Sequence, residues 1–218
     1  MPRRIAFLVF PRFQILDATG PIAAFEIADR HRPGTYTLRT IAAFPGPVTS
    51  SSGASLQASS FGRADTVDTL IVAGGEGTQP AALCMKTRRF VLGCAQRSRR
   101  VASVCSGTYI LAAAGLLDGR HATTHWSKSA DFSRRYPTVR LDADRIFVQD
   151  GKFWSSGGIT AGIDLALALI GEDLGEDIAR RTAQQLVVYH RRPGGQSQFS
   201  PLLAMEGQNG RFGTLLDH

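Results

Sequence analysis

Cysteine is scarce in this 218-residue chain. Cys84, Cys94 and Cys105 form an odd set with no CxxC spacing, which excludes a disulfide framework and a zinc ribbon and leaves room for one functional thiol. Lysine is also rare: Lys86, Lys128 and Lys152 are the only three among 25 basic residues, so arginine carries most of the formal net charge of +7. These arginines are scattered, with no basic stripe interleaved with aromatics, and read as solvated surface rather than a nucleic-acid face. No apolar run approaches the ~18 residues of a membrane span, and the run at residues 5–10 is shorter than a signal-peptide core. HExxH, the P-loop and GxGxxG are absent, and His and Cys lack metal-ligand spacing. The expectation is a soluble, cytoplasmic protein with no metal, no cofactor and no membrane partner.

What is present is ordinary globular composition, 43% hydrophobic and 20% charged. The length fits one large domain, or one domain with a short appendage. Residues 4–10 (RIAFLVF) predict a buried central strand. Residues 17–30 open with Asp and Thr, carry Pro21 early and then show helical spacing. Residues 36–44 are β-rich, 45–53 turn-rich, and 54–59 suit a short strand. A second apolar strand, 67–73 (VDTLIVA), stops at Gly74–Gly75. A helix over 86–98 precedes a short strand at 101–104, and Cys105 follows at once. Residues 108–115 suit a buried helix, 127–136 a surface helix, and 145–148 with 152–155 a hairpin around Asp150–Gly151. Residues 160–170 are almost wholly apolar and predict a buried helix, and 176–190 predict an amphipathic one. From Arg191 the chain turns polar and rich in Gly and Pro, as a linker does, and 211–218 resemble the first turns of a helix. Alternating strands and helices point to an α/β sandwich with a mainly parallel central sheet and helices on both faces. Ligands in such sheets sit at the carboxyl ends of the strands, so the loops after Phe10, Ala73 and Val104 are the ones to examine.

The sharpest local feature is SVCSG, residues 103–107. An apolar strand runs into Cys105, then Ser106 and Gly107, then an apolar helix, the context of a nucleophile elbow. Small neighbours permit the tight turn, Gly107 permits close helix–strand approach, and a helix amino terminus favours a thiolate. A buried, inert cysteine fits the same pattern. Asp17 follows the first strand and suits activation of a thiol or a helix cap. Gly74 and Gly75 end another central strand, and their N–H groups could pair with that of Ser106 as an oxyanion hole, or simply form a turn. His125, in TTHW, is the best-placed base among the five histidines.

Four segments resemble the ThiJ/PfpI branch of the class I glutamine amidotransferase-like superfamily: LDATGP (16–21), LIVAGG (70–75), SVCSGTYILAAAGLLDGRHATTHW (103–126) and SSGGITAGIDLALALI (155–170). The resemblance implies a flavodoxin-like three-layer sandwich and a homodimer. Two subfamilies share the long block. Isonitrile hydratases use an elbow cysteine and the Asp of LDxTGP, matched here by Cys105 and Asp17. AraC-type transcriptional regulators carry such a domain ahead of a helix-turn-helix domain, and RRPGGQSQFS (191–200) looks like theirs. The position after the cysteine, His in related hydrolases, is Ser106 here.

The division implied is a ThiJ/PfpI-like domain over 1–192, then a linker and the start of a helix over 193–218, leading to a DNA-binding domain that this chain lacks. The first functional expectation is a ligand-sensing and dimerisation domain. A small-molecule effector would bind at Asp17, Gly74, Gly75, Cys105, Ser106 and His125, and DNA would be reached only through the missing domain. The alternative is a cysteine-dependent hydratase or hydrolase of the isonitrile hydratase type, with Cys105, Asp17 and His125 as catalytic residues. A third reading is an oxidisable thiol at Cys105.

Overall fold

The apolar run near the amino terminus lies at the heart of the molecule. In the computed structural model, which describes residues 1–61, 67–188, 192–195 and 197–198, this run forms β1 (Arg3–Leu8). Ile5 and Phe7 point into one core and Ala6 and Leu8 into the other, because successive side chains of a strand face opposite ways. The elements that follow are α1 (Ile15–His31), β2 (Tyr36–Ala42), β3 (Gly46–Thr49), β4 (Ser55–Ser60), β5 (Thr69–Val72), α2 (Thr78–Leu83) and α3 (Met85–Arg97). Next come β6 (Arg100–Val104), a 3₁₀ turn at Cys105–Gly107, α4 (Thr108–Ala113), β7 (His121–Ala122) and a 3₁₀ turn at Trp126–Lys128. The described elements end with α5 (Ser129–Arg135), β8 (Arg140–Leu141), β9 (Phe147–Asp150), β10 (Phe153–Ser156), α6 (Ala161–Leu174) and α7 (Glu176–Gln185).

Eight strands form one sheet in the order β3-β4-β2-β1-β5-β6-β10-β9. The six from β4 to β10 in that order pair in parallel, and β3 and β9 close the two edges antiparallel. β7 and β8 make a separate parallel pair. One core holds Phe7, Phe25, Trp154 and Leu165 beneath α1, α6 and α7. The other holds Leu8, Val91, Tyr109 and Phe132 beneath α2, α3, α4 and α5. Each fully buried large side chain of this kind contributes about 1.5–3 kcal/mol. The three-layer α/β architecture with a mainly parallel sheet is thus the one expected.

At the amino ends of the strands Arg100, 3% exposed, anchors the sheet. Its guanidinium lies 2.7 Å from Asp173 and 3.2 Å from Glu172, and the Tyr36 hydroxyl donates to Asp173. A buried cation is tolerable only when paired in this way.

Several boundaries differ from the sequence expectation. β1 ends at Leu8, two residues early, and α1 starts at Ile15, capped by the Gln14 side chain. Asp17 is therefore inside the first turn of α1 and is not a cap. Pro21 falls inside the helix, so the Asp17 carbonyl lacks its usual i+4 donor. The short α2, β7 and β8 were not expected. The expected helix at 211–218 and most of the expected linker lie outside the described residues. Among the described residues no helix is long and apolar enough to cross a membrane.

Candidate functional site

Cys105 follows β6 directly with φ at +57°, a left-handed backbone that non-glycine residues adopt at a cost of roughly 1–2 kcal/mol. This is the sharp bend expected at SVCSG. Hydrogen bonds from below hold it in place. The Thr124 hydroxyl donates to the Cys105 carbonyl at 3.0 Å, and the Thr108 hydroxyl donates to the Thr123 carbonyl at 2.9 Å. The Ser155 hydroxyl accepts from the Thr123 amide at 2.8 Å. The paired threonines of TTHW thus brace the elbow, a role that their sequence position did not announce.

Asp17 lies directly under the thiol and is fully buried. Its Oδ2 accepts from the Gly74 amide at 3.0 Å and its Oδ1 from the Ile159 amide at 2.8 Å. The Cys105 thiol donates to the same carboxylate. Burial outweighs these three donors and pushes the Asp17 pKa up to about 6. Burial, and next the charge of Asp17, push the Cys105 thiol well above its ordinary range, against the smaller opposing effect of Ser106. The sequence reading expected a helix terminus to favour a thiolate. The geometry instead keeps the proton on sulfur, because the thiol is 8% exposed and faces a carboxylate.

The expected oxyanion hole is also corrected. The Gly75 N–H donates to Ser106 Oγ at 2.9 Å and the Gly74 N–H to Asp17 at 3.0 Å. Both glycine amides are engaged internally. Thr78, from the unforeseen α2, completes this knot with its hydroxyl 2.8 Å from Ser106 Oγ. Gly75 sits at φ +134°, where a Cβ would fall 2.4 Å from the Gln14 amide nitrogen. Glycine is required there by both backbone and space.

A fourth loop, Gly157 to Ile159 after β10, joins the three expected ones. Gly158, at φ +89°, lies so close to the elbow that a Cβ would be 2.2 Å from the Cys105 Cβ. Ile159, at φ +53°, supplies the second amide to Asp17. The signal was a glycine pair ending a strand, the same pattern as Gly74–Gly75.

Above the elbow opens a cleft of ≈ 550 Å³. Gly75, Cys105, Ser106 and His125 line it, together with Gln14, Glu76, Lys128 and Arg135, which sequence reasoning missed. Asp17 and Gly74 do not line it. They sit beneath the thiol, so their expected contact with a ligand is replaced by support of Cys105. His125 is on the rim, but its Nδ1 is held by Ser127 Oγ at 2.8 Å instead of by the thiol. Partial burial, and next the charge of Lys128, lower its pKa. The nearest proton acceptor to Cys105 is therefore Asp17 rather than His125. Among the described residues no group of three His, Cys, Asp or Glu side chains is placed to hold a metal ion.

Comparisons with known proteins show which proteins the chain is similar to. The chain is 38% identical over 192 residues to an isonitrile hydratase of Pseudomonas putida, spanning 85% of this chain and 78% of that protein. It is 29% identical over 210 residues to the HTH-type transcriptional regulator GbdR of Pseudomonas aeruginosa, spanning 95% of this chain but only 57% of the regulator. The solved structure of a ThiJ/PfpI family protein from Pseudomonas syringae superposes with a TM-score of 0.78 at 30% identity, over 88% of this chain and 78% of that one. The profile of the DJ-1/PfpI family matches residues 3–172. With elbow, buried Asp and parallel sheet in place across that match, this chain belongs to the DJ-1/PfpI family.

Proposed function

We propose that this chain is the ligand-sensing and dimerisation domain of an AraC-type transcriptional regulator, acting on DNA through a helix-turn-helix domain outside this sequence. The observation that carries the reading is the electrostatic state of the elbow. The thiol is held protonated over a buried carboxylate, the flanking glycine amides are spent on internal bonds, and a cleft of mixed polar and apolar surface opens above. Such a site offers shape and hydrogen bonds to a small molecule without a preformed place for an oxyanion. The likeness to HTH-type regulators over nearly the whole chain supports the same reading. Binding would bias the domain's geometry by its differential affinity for two states, and the bias would pass to the DNA-binding part. The test is a thermal-shift screen of small polar metabolites, repeated with Gln14→Ala and Lys128→Ala. A saturable shift that both substitutions weaken supports the reading. Turnover of the bound compound would overturn it.

A second reading has a specific observation in its favour. The Cys105–Asp17 hydrogen bond is a nucleophile beside a base, and the isonitrile hydratase likeness covers 78% of that enzyme. In this reading the sulfur bonds to an electrophilic carbon while the thiol proton passes to Asp17, whose pKa of about 6 suits both accepting and returning it near neutrality. Hydration of an isonitrile that is lost in Cys105→Ala would establish this reading.

A further inference from the structure

From Arg191 the composition is that of a linker, but the described residues there are bound across the top of the sheet. Arg192 donates from its backbone to Asp164 Oδ1 at 3.0 Å and pairs with Asp164 Oδ2 at 2.7 Å, on the first turn of α6. The Gly194 carbonyl accepts from the Phe147 amide, and a Cβ on Gly194 would lie 2.7 Å from the Phe147 ring. The Arg145 guanidinium donates to the Gly195 carbonyl. The path ends with Gln198 inserted beside the cleft rim.

Gln198 fills a slot that only a carboxamide of this reach satisfies. Its Nε2 faces the carbonyls of Thr124 at 2.8 Å, Arg145 at 3.1 Å and Ala143 at 3.2 Å, with Thr123 Oγ1 at 3.3 Å. Its Oε1 accepts from the Trp126 amide at 2.9 Å. Its own amide donates to Asp144 Oδ1 at 3.0 Å. Donors meet carbonyls and the acceptor meets an N–H, so a carboxylate here would face oxygens and a shorter amide would not reach. The bonds at Thr124 and Trp126 flank His125, which lines the cleft. Gly157, from the loop that reaches Cys105, makes room: a Cβ there would sit 2.5 Å from the Gln198 Cδ.

We propose that Gln198 is a positioning residue of the cleft and the point where the tail is coupled to it. The carboxamide fixes the rim at Thr123–Trp126, so the rim conformation and the docking of the tail form one equilibrium. An occupant that shifts His125 and Trp126 loosens the tail, and by reciprocity a loosened tail frees the rim. This rests on reading the cleft as an effector site, and it supplies that reading with an output.

The test is hydrogen exchange, read by mass spectrometry on the 218-residue chain for wild type, Gln198→Ala, Gln198→Glu and Gly157→Ala. Gly157→Ala is an independent perturbation, since it evicts the carboxamide from the other wall while every donor and acceptor stays in place. All three variants should exchange about fivefold faster or more at residues 122–127 and 192–198, the loss of one net hydrogen bond or more. Peptides from β1 and β5 should be unchanged, as a general loss of stability would not leave them. The double variant Gly157→Ala/Gln198→Ala should show no more than either single one. Faster exchange confined to 192–198, or equal rises in β1 and β5, overturns the proposal, as does no change at all. The measurement needs no ligand, so its failure is distinct from failure of the effector screen.

Discussion

Asp17 makes a strong prediction about stability and pH. The carboxylate is fully buried and its pKa rises from 3.8 to about 6. Between those values the folded chain keeps a proton that the unfolded chain has lost. Stability from this group is therefore fully present below pH ~4, falls as pH rises to about 6, and is flat beyond. A shift of about two units corresponds to roughly 3 kcal/mol, at about 1.4 kcal/mol per unit. Asp17→Asn removes the titration. It also sets an amide NH₂ against either the Gly74 or the Ile159 N–H, a loss of about 1–3 kcal/mol that does not vary with pH. Urea unfolding of both proteins at half-unit steps from pH 4 to pH 8 isolates the effect. Other carboxylates, such as Asp68 and Asp150, whose pKa values are lowered, titrate alike in both and cancel in the difference. The wild-type advantage over Asp17→Asn should shrink by roughly 2.5 kcal/mol between pH 4 and pH 7, with its midpoint between 4 and 6. A difference that stays level, or that grows with pH, refutes the argument that burial outweighs hydrogen bonding at this carboxylate.

Other consequences follow from the same geometry. Gly158→Ala places a methyl against Cys105 at a positive φ and should lower stability by about 3 kcal/mol or more in chemical denaturation. Alkylation of Cys105 by iodoacetamide, followed by peptide mass spectrometry, should keep accelerating to pH 10 without a plateau, because burial and Asp17 hold the thiol protonated. A plateau near pH 8 would contradict this. Arg100→Ala should cost about 1–3 kcal/mol, since Asp173 loses one buried charged hydrogen bond but keeps the Arg99 guanidinium at 2.7 Å. Light scattering of the purified chain should give twice its 23.5 kDa if the domain dimerises as proposed.

The legible parts of this chain were those written in long or repeated patterns. RIAFLVF could only be a central strand, and the apolar stretch 160–170 could only be a buried helix. The strand–Cys–small–Gly context announced the elbow, and the structure places Cys105 at a positive φ there. Asp17 was named, but its place was not: the helix begins two residues earlier, so the side chain turns under the thiol. The oxyanion hole failed because sequence does not say where an N–H points, and Ser106 Oγ takes the Gly75 donor. His125 shares the cleft with Cys105, but its Nδ1 is turned to Ser127, a contact that sequence spacing does not reveal. The Gly157–Ile159 loop was overlooked although SSGG ends a strand as LIVAGG does. The polar run RRPGGQSQ looked like spacer because composition alone hides a single glutamine whose carboxamide partners are mostly backbone groups.

The measurement that bears most directly on the account is incubation of the chain with an isonitrile, quantifying the corresponding formamide against Cys105→Ala. A sensor whose thiol stays protonated and whose glycine amides are committed forms no more product than the variant. Multiple turnovers that vanish with Cys105 would show that the cleft consumes its ligand, and the sensing reading would fall.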